Sequence, residues 1–224
     1  EWQEREIDGV LDTEHYKFFY HPFVDDTEES YILLDLYCMD NPYAKTEERE
    51  LISDILNMEG GSVLVHMPDV ESILGDKLTA FAPTTIGVPL SVEPGHRPKR
   101  VEVLKQLYDI GNLFDLAESA KNIRETYDVV ATHEIAKFGL EITPEDSLRD
   151  SLRHAYIIGR GGKVDKPQYD AIAKGYKDFN KFVADLSFDE NQAALAAAKT
   201  AYLVNVLLSD DDVLEKYDGA RAAV

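Results

Sequence analysis

Two stretches of the sequence decide the fold. The first is Gly-Asp-Lys-Leu-Thr-Ala-Phe-Ala-Pro at residues 75–83, and the second is Lys-Arg-Val-Glu-Val-Leu-Lys-Gln-Leu-Tyr-Asp-Ile-Gly-Asn-Leu-Phe-Asp at residues 99–115. A loop rich in glycine and proline joins them. Apolar residues recur in both stretches with the period of an α-helix, so both are predicted to be helical. Each helix also carries a charge that simple packing would not place there.

Lys77 falls on the apolar side of the first predicted helix, and Asp76 points away from that side. A lysine aimed at a core is costly unless it pairs with an acid or reaches an anion. Two interpretations stay open: Lys77 contacts a ligand, or it is held by a buried salt bridge or a snorkelling stem. The apolar stripe around it consists of Val70, Ile73, Leu74 and Phe81.

The second predicted helix has one polar face, formed by Lys105, Asp109 and Asn112 at positions i, i+4 and i+7. The opposite face is apolar. A polar helix face is usually a solvated surface, so this trio alone favours no particular function.

An aspartate interrupts the most apolar predicted strand. The sequence predicts a hairpin whose strands span residues 15–23 and 31–39, and Asp35 stands in the middle of the second strand. A carboxylate inside a buried strand is costly unless something offsets it. The alternative is an aspartate on the solvent face of a one-sided sheet.

The remaining segments predict an α+β fold, with strands in the first third of the chain and helices after it. We expect two domains, 1–98 and 99–224, the second a helical bundle. Further helices are predicted near residues 2–11, 46–58 (capped by Thr46), 119–138, 144–158, 168–185 and 189–208, with a short acidic tail helix from Asp210 and a strand at 62–67.

The paired stretches resemble the AbiEii/AbiGii toxin family of nucleotidyltransferases, within the DNA polymerase beta-like superfamily. In that family a Lys-Leu-x-Ala helix precedes a Lys/Arg-x-x-Tyr-Asp-[Leu/Ile] helix, and the resemblance extends from about Tyr31 to about Asp115. It implies a partial nucleotidyltransferase palm sheet followed by the bundle. It also implies that Lys77 and Lys105 bind the nucleotide, that Asp35 is catalytic as a Mg²⁺ ligand, and that Asp109 is catalytic by orienting a lysine or a metal-bound water.

The sequence departs from the family at its metal motif. The family places an Asp-x-Asp shortly after a Gly-Ser or Gly-Gly, upstream of the strand carboxylate, and nothing before Asp35 fits that pattern. Gly61-Ser62 does not supply the motif, because it follows Asp35 and lies too close in sequence to the next acidic pair, which begins at Asp69. Asp69 is instead predicted to cap a helix. We therefore expect that the sequence begins after the motif, which leaves the activity of this chain open. Residues 159–163, Gly-Arg-Gly-Gly-Lys, have the wrong spacing for a phosphate loop and are predicted to connect helices.

Composition narrows the possible partners. The chain has 224 residues and a formal charge of −20, which disfavours binding to duplex DNA or to an anionic membrane. No apolar run approaches a membrane span, and no signal peptide is visible. The single cysteine, Cys38, excludes an internal disulfide and favours a reducing cytoplasm. The six histidines show no ligand spacing, so no zinc site is predicted.

These observations support two hypotheses about function. The first is a nucleotidyltransferase-like toxin that uses an NTP and Mg²⁺ and has a cognate antitoxin, as the resemblance implies. The second is a non-catalytic acidic helical module that binds a basic partner protein.

Overall fold

The computed structural model describes residues 2–4, 13–22, 29–52, 60–61, 63–90, 98–183, 187–209 and 211–216. The chain divides into two compact units, Glu1–Pro42 and Tyr43–Val224. The structure mixes strands and helices, which confirms the α+β class. The domain boundary expected between residues 98 and 99 stays a prediction.

The first unit contains a three-stranded antiparallel sheet in the order β1-β2-β3. Its strands are β1 (Trp2–Glu4), β2 (Thr13–Tyr20) and β3 (Ser30–Tyr37). The predicted hairpin is confirmed, because β2 and β3 pair over their whole length. The helix predicted at residues 2–11 is wrong at residues 2–4, where the backbone pairs with β2 instead. Residues 5–12 lie outside the described part of the chain.

The second unit begins with a hairpin of β4 (Thr46–Glu50) and β5 (Leu64–Pro68). The strand predicted at 62–67 is thus confirmed, but the helix predicted from Thr46 is wrong over β4, and residues 53–59 lie outside the described range. The segment Thr-Glu-Glu-Arg-Glu carries helix-forming residues, yet pairing with β5 supplies its backbone hydrogen bonds and overrides that weak local preference. Glu48 also lies 3.4 Å from His66 across the hairpin.

The first of the two deciding stretches lies on α1 (Val70–Ala80). Asp69 caps this helix as predicted, since its side chain accepts a hydrogen bond from Ser72 N at 2.9 Å. Helix α1 packs against α2 (Arg100–Leu116) and α3 (Lys121–Lys137). A Cβ on Gly75 would lie 2.5 Å from Ile123 O, so this glycine permits the close approach of α1 and α3.

Four further α-helices complete the described part of the second unit: α4 (Pro144–Gly159), α5 (Lys166–Ala173), α6 (Tyr176–Phe179) and α7 (Glu190–Leu208). The single helix predicted at 168–185 is wrong, because the chain turns at Lys174 and Gly175. A side chain on Gly175 would meet Arg100 and Leu104 of α2 at 3.0 Å, so the turn brings α6 beside α2. The helix predicted from Asp210 is wrong across residues 211–216, where Val213 forms an isolated bridge with Ser119.

The core of the second unit lies between these helices. Helix α7 packs against both α4 and α2, and the buried face of α2 is the predicted apolar one. Among the helices that the structure describes, none combines the length and the apolar character needed to cross a membrane. The largest fully buried side chains are Leu74, Leu78, Phe81, Leu104, Leu107, Ile110, Ile123, Tyr127, Ile157, Ile158, Ile172 and Leu203.

Candidate active site

Lys77 and Asp109 meet at the interface of α1 and α2. Lys77 Nζ lies 3.0 Å from Asp109 Oδ2, and the two side chains are 29% and 25% exposed. Lys77 stands in the last turn of α1, next to the buried Leu74 and Leu78. The pair is therefore neither a core salt bridge nor a fully solvated one. The Lys77 ammonium has donor capacity beyond this one contact, and part of its side chain is open to solvent.

The polar face predicted on α2 is divided between solvent and the helix interface. Asp109 is half-buried against α1, whereas Lys105 and Asn112 are exposed. Asn112 Nδ2 donates a hydrogen bond to Tyr108 O at 2.9 Å. The structure thus joins Lys77 to Asp109 and leaves Lys105 as an exposed cation one turn earlier on α2.

Asp76 lies on the side of α1 that packs against α3. It points away from the apolar stripe, as its helical position predicts, but towards α3 rather than towards solvent. Burial raises the pKa of Asp76 and the charge of Glu134 adds to that shift, while Lys77 and the hydroxyl of Tyr43 partly oppose it. Lys77 is thus paired with Asp109 of α2, whereas Asp76 is hydrogen-bonded to Tyr43 and lies near the like charge of Glu134 on α3.

Asp35 lies on β3 directly opposite His15 of β2. His15 Nδ1 is 2.5 Å from Asp35 Oδ1, and the aspartate side chain is 52% exposed. The strand around it is not buried, since Leu34 and Leu36 are 41% and 40% exposed, so the expectation of a carboxylate inside a buried strand is wrong. Asp35 belongs to the first unit, and the Lys77–Asp109 pair belongs to the second.

The described residues do not group a full set of metal ligands. A Mg²⁺ site in a protein is usually built from carboxylates, and the family resemblance calls for three of them. Within the described ranges, no group of three or more His, Cys, Asp or Glu side chains could hold a metal ion. Asp35 offers one carboxylate beside one imidazole, so the residues that the structure describes do not fit the predicted site.

A polar network that the sequence did not predict joins α4 to the loop after α1. Asp150 accepts hydrogen bonds from Thr84 N at 2.8 Å, Thr84 Oγ1 at 2.5 Å and Thr85 Oγ1 at 3.1 Å. His154 Nδ1 lies 3.0 Å from Asp150 Oδ1. Burial would raise the pKa of Asp150, but the hydrogen bonds from His154 and Thr84 hold it below its usual value. In the sequence, the i, i+4 spacing of Asp150 and His154 on one predicted helix indicates their mutual contact.

The glycine-rich segment at 159–163 connects α4 to α5, as predicted. Gly161 and Gly162 have φ angles of 57° and 76°, a backbone conformation that glycine adopts at low cost. The segment therefore ends a helix and does not open one, which is the reverse of a phosphate loop.

Comparison with known proteins identifies the family. No curated protein and no solved structure matches the chain. The sequence profile of the family described as "Nucleotidyl transferase AbiEii toxin, Type IV TA system" matches residues 3–201. That match covers more than half of the chain, including both deciding stretches. The chain belongs to the AbiEii nucleotidyltransferase toxin family.

Proposed function

We propose that this protein is the toxin of a type IV toxin–antitoxin system and that it transfers a nucleotidyl group from an NTP to an acceptor. The family match over residues 3–201 carries the proposal. The Lys77–Asp109 pair supports it, because the residues that the family motifs predict at the nucleotide meet at one helix interface.

Lys77 is the proposed phosphate contact. Its Nζ has one carboxylate partner at 3.0 Å and lies at a partly open surface, so a phosphate oxygen can approach the ammonium from the solvent side. Asp109 holds the ammonium in place before the nucleotide arrives, which is the orienting role that the resemblance implies. Lys105, exposed on the same helix, would add positive charge near the triphosphate.

The role of Asp35 as a Mg²⁺ ligand, which the family resemblance implies, concerns the first unit alone. Its carboxylate is 52% exposed and lies 2.5 Å from His15 Nδ1. One carboxylate beside one imidazole does not make a Mg²⁺ site, so the proposed roles of Lys77 and Asp109 do not depend on Asp35.

The proposed partners follow from the family and the charge. A cognate antitoxin is the protein partner that the family implies. The net charge of −20 disfavours duplex DNA as a ligand, because affinity for phosphate backbones requires clustered cations. A reducing cytoplasm is the proposed location, since the only cysteine, Cys38, is free and exposed.

The test compares Lys77→Met with Lys199→Met. Lys199 also pairs with an aspartate of α2, since its Nζ lies 2.6 Å from Asp115 Oδ2 and its side chain is 21% exposed. Both changes remove a half-buried charge from an interhelical ion pair and keep the apolar stem. We expect only Lys77→Met to weaken NTP binding, by about 1.5 kcal/mol or more, in calorimetric titrations of the full chain.

Two outcomes would overturn the proposal. One is a Lys77→Met protein that is destabilised by about 3 kcal/mol and still binds NTP as the wild type does, which is the behaviour of a structural salt bridge. The other is a wild-type protein that transfers no labelled nucleotide from any NTP in the presence of Mg²⁺ to RNA, protein or small-molecule acceptors.

The second hypothesis, a non-catalytic acidic helical module, has one observation in its favour. The described residues group no set of three metal ligands, whereas catalysis of this kind uses several carboxylates. On this hypothesis the chain binds a basic protein through its acidic helices. Stable complex formation with the antitoxin, together with the absence of both NTP binding and transfer, would favour it.

A further inference from the structure

A cavity of about 400 Å³ lies between the loop after α1, helix α4 and the start of α5. Its mouth is at the exposed Thr84 and Pro167. The lining is otherwise mostly apolar, and a far smaller apolar cavity of about 150 Å³ can hold a benzene ring. The lining residues are Pro83, Thr84, Leu90, His154, Pro167, Gln168 and Ala171.

The position of the His154 proton follows from its neighbours. Nδ1 lies 3.0 Å from Asp150 Oδ1 and 3.0 Å from Asp150 O, and both of these atoms are acceptors. Nδ1 must therefore carry the hydrogen, and in the neutral ring Nε2 is left with a lone pair. Thr84 and Thr85 saturate the other lone pairs of the Asp150 carboxylate, so this tautomer is firmly held.

Nε2 of His154 has no hydrogen-bond partner among the described residues, although the side chain is 0% exposed. A buried polar atom without a partner costs free energy, so such atoms in proteins usually meet water or a ligand. His154 lines the cavity, and Asp150 on the same helix fixes the orientation of its ring.

Gln168 also lines this cavity and carries a second unpartnered atom. Its side-chain Oε1 is buried and has no hydrogen-bond partner in the described chain. Its backbone N donates to Asp165 Oδ1 at 3.1 Å, which anchors the residue in the first turn of α5. Oε1 and Nε2 both accept hydrogen bonds, so neither can satisfy the other, and each requires a donor.

We infer that this cavity is a binding site for a compact and largely apolar molecule that carries an O–H or N–H donor, such as a phenol, an alcohol or an amine. The apolar wall formed by Pro83, Leu90 and Ala171 would contact the body of the ligand, and the donor would pair with His154 Nε2 or Gln168 Oε1. Both acceptor atoms are closed to solvent, so a bound ligand shifts a side chain of the wall slightly. The site uses no residue of the proposed nucleotide site.

The probe pair phenol and toluene tests this inference. The two molecules are similar in size, but only phenol donates a hydrogen bond. We expect phenol to bind the full chain about tenfold more tightly than toluene in ligand-observed NMR titrations, the ratio that corresponds to one hydrogen bond of about 1.4 kcal/mol. Long-range proton–nitrogen spectra of the histidine rings should show phenol perturbing Nε2 of His154 while the Nδ1–H tautomer persists.

Two substitutions assign the contacts. Gln168→Leu removes Oε1 and keeps the volume, and His154→Asn removes Nε2 while its amide can still donate towards Asp150. We expect at least one of them to bring the affinity for phenol down to that for toluene. Circular dichroism melts check that each variant folds. The side chain of Gln168 makes no hydrogen bond with any described residue, so Gln168→Leu keeps the test decisive if His154→Asn does not fold.

Equal affinities for phenol and toluene in the wild type, or no binding of either, would overturn the inference and leave the cavity to water. Phenol binding that both variants retain unchanged would also overturn it, because the ligand would then sit elsewhere. The titrations contain no nucleotide, so their result is independent of the proposed transferase activity.

Discussion

Two polar contacts in the second unit have similar chemistry and different surroundings. Asp150, 7% exposed, accepts hydrogen bonds from Thr84, Thr85 and His154. Asp109 has one ion-pair contact, to Lys77, and about a quarter of each side chain is exposed. A carboxylate whose lone pairs are all used by the protein holds elements together, whereas a lysine with donors to spare at an open surface can exchange partners with a ligand.

The difference is one of energy as well as of geometry. Removing one partner from a buried charged network leaves the other polar groups without a partner or water, which lowers the free energy of unfolding strongly. Removing one side of a partly exposed pair lets water replace the lost partner, which costs much less. Stability measurements should therefore separate a structural carboxylate from a site carboxylate.

The largest expected effect is that of Asp150→Ala. This change removes the acceptor of Thr84 N and of the Thr84 hydroxyl, and one of the two acceptors of Thr85 Oγ1 and of His154 Nδ1, so we expect a loss of about 3 kcal/mol in the free energy of unfolding. Urea denaturation measures it, with Asp109→Ala as the matched control at about 1 kcal/mol. Equal losses for the two variants would remove the distinction between the two contacts.

Acid should weaken the Asp150 network selectively. The folded pKa of Asp150 lies below its usual value, so its contribution to stability is complete above the ordinary aspartate pKa of about 3.9 and is lost as the pH falls through the folded pKa. The difference in unfolding free energy between the wild type and Asp150→Asn should accordingly shrink as the pH falls from about 6 to about 3. A difference that stays constant over this range would contradict the prediction.

Asp69 also contributes to the acid dependence of the unfolding free energy. Burial would raise the pKa of Asp69, but its hydrogen bonds with Ser72 and Asn122 and the charge of Lys45 lower it. The wild type and Asp150→Asn both keep Asp69, so its share of the acid dependence cancels in their difference. The difference in unfolding free energy between the two proteins therefore reports on Asp150 more directly than the pH dependence of either protein alone.

Local patterns in the sequence predicted the helices and the charged residues on them. The periods of α1 and α2 placed Lys77 at the edge of the core and Asp109 on a polar face, because both are properties of single helices. That these two residues meet depends on how α1 packs against α2, which no local pattern contains. The family motifs, not the periodicity, supplied the link between them.

The features that the sequence predicted wrongly or not at all have one physical cause: they depend on contacts between residues that are far apart in the sequence. Residues 46–50 carry helix-forming side chains without strand alternation, and only the distant β5 turns them into a strand. The Asp150 network likewise requires Thr84, far away in the sequence, to meet α4. The i, i+4 spacing of Asp150 and His154 could predict their mutual contact, but not the cavity that they border.

A double-mutant cycle measures how strongly Lys77 and Asp109 interact, for comparison with the buried contacts of Asp150. Lys77→Met, Asp109→Asn and the double variant should give a coupling energy of about 1 kcal/mol in the free energy of unfolding, since water partly screens the pair. The coupling should fall at high salt, because exposed charges are screened more strongly than buried ones. A coupling of about 3 kcal/mol or more would place the pair with Asp150 as a structural contact.

The smallest expected effect is that of Asp76→Asn, and it has the opposite sign. The folded pKa of Asp76 is raised by burial and by Glu134, despite the opposing effects of Lys77 and Tyr43. Its ionised form is therefore less favourable in the folded state than in the unfolded state. The neutral amide of the variant avoids that cost and can still accept the hydroxyl hydrogen bond of Tyr43. We expect the melting temperature to rise at neutral pH, by no more than the 2–4 °C that about 1 kcal/mol produces in a chain of this size.

The size of this effect depends on pH in a way that a generic surface substitution would not show. Well below the ordinary aspartate pKa of about 3.9, Asp76 is protonated in both states, so the variant and the wild type should melt together there. The gap should open as the pH rises through the folded pKa of Asp76. Calorimetric melts at several pH values measure it, and a variant that is less stable than the wild type at neutral pH would show that the charge of Asp76 helps to hold Lys77 in place.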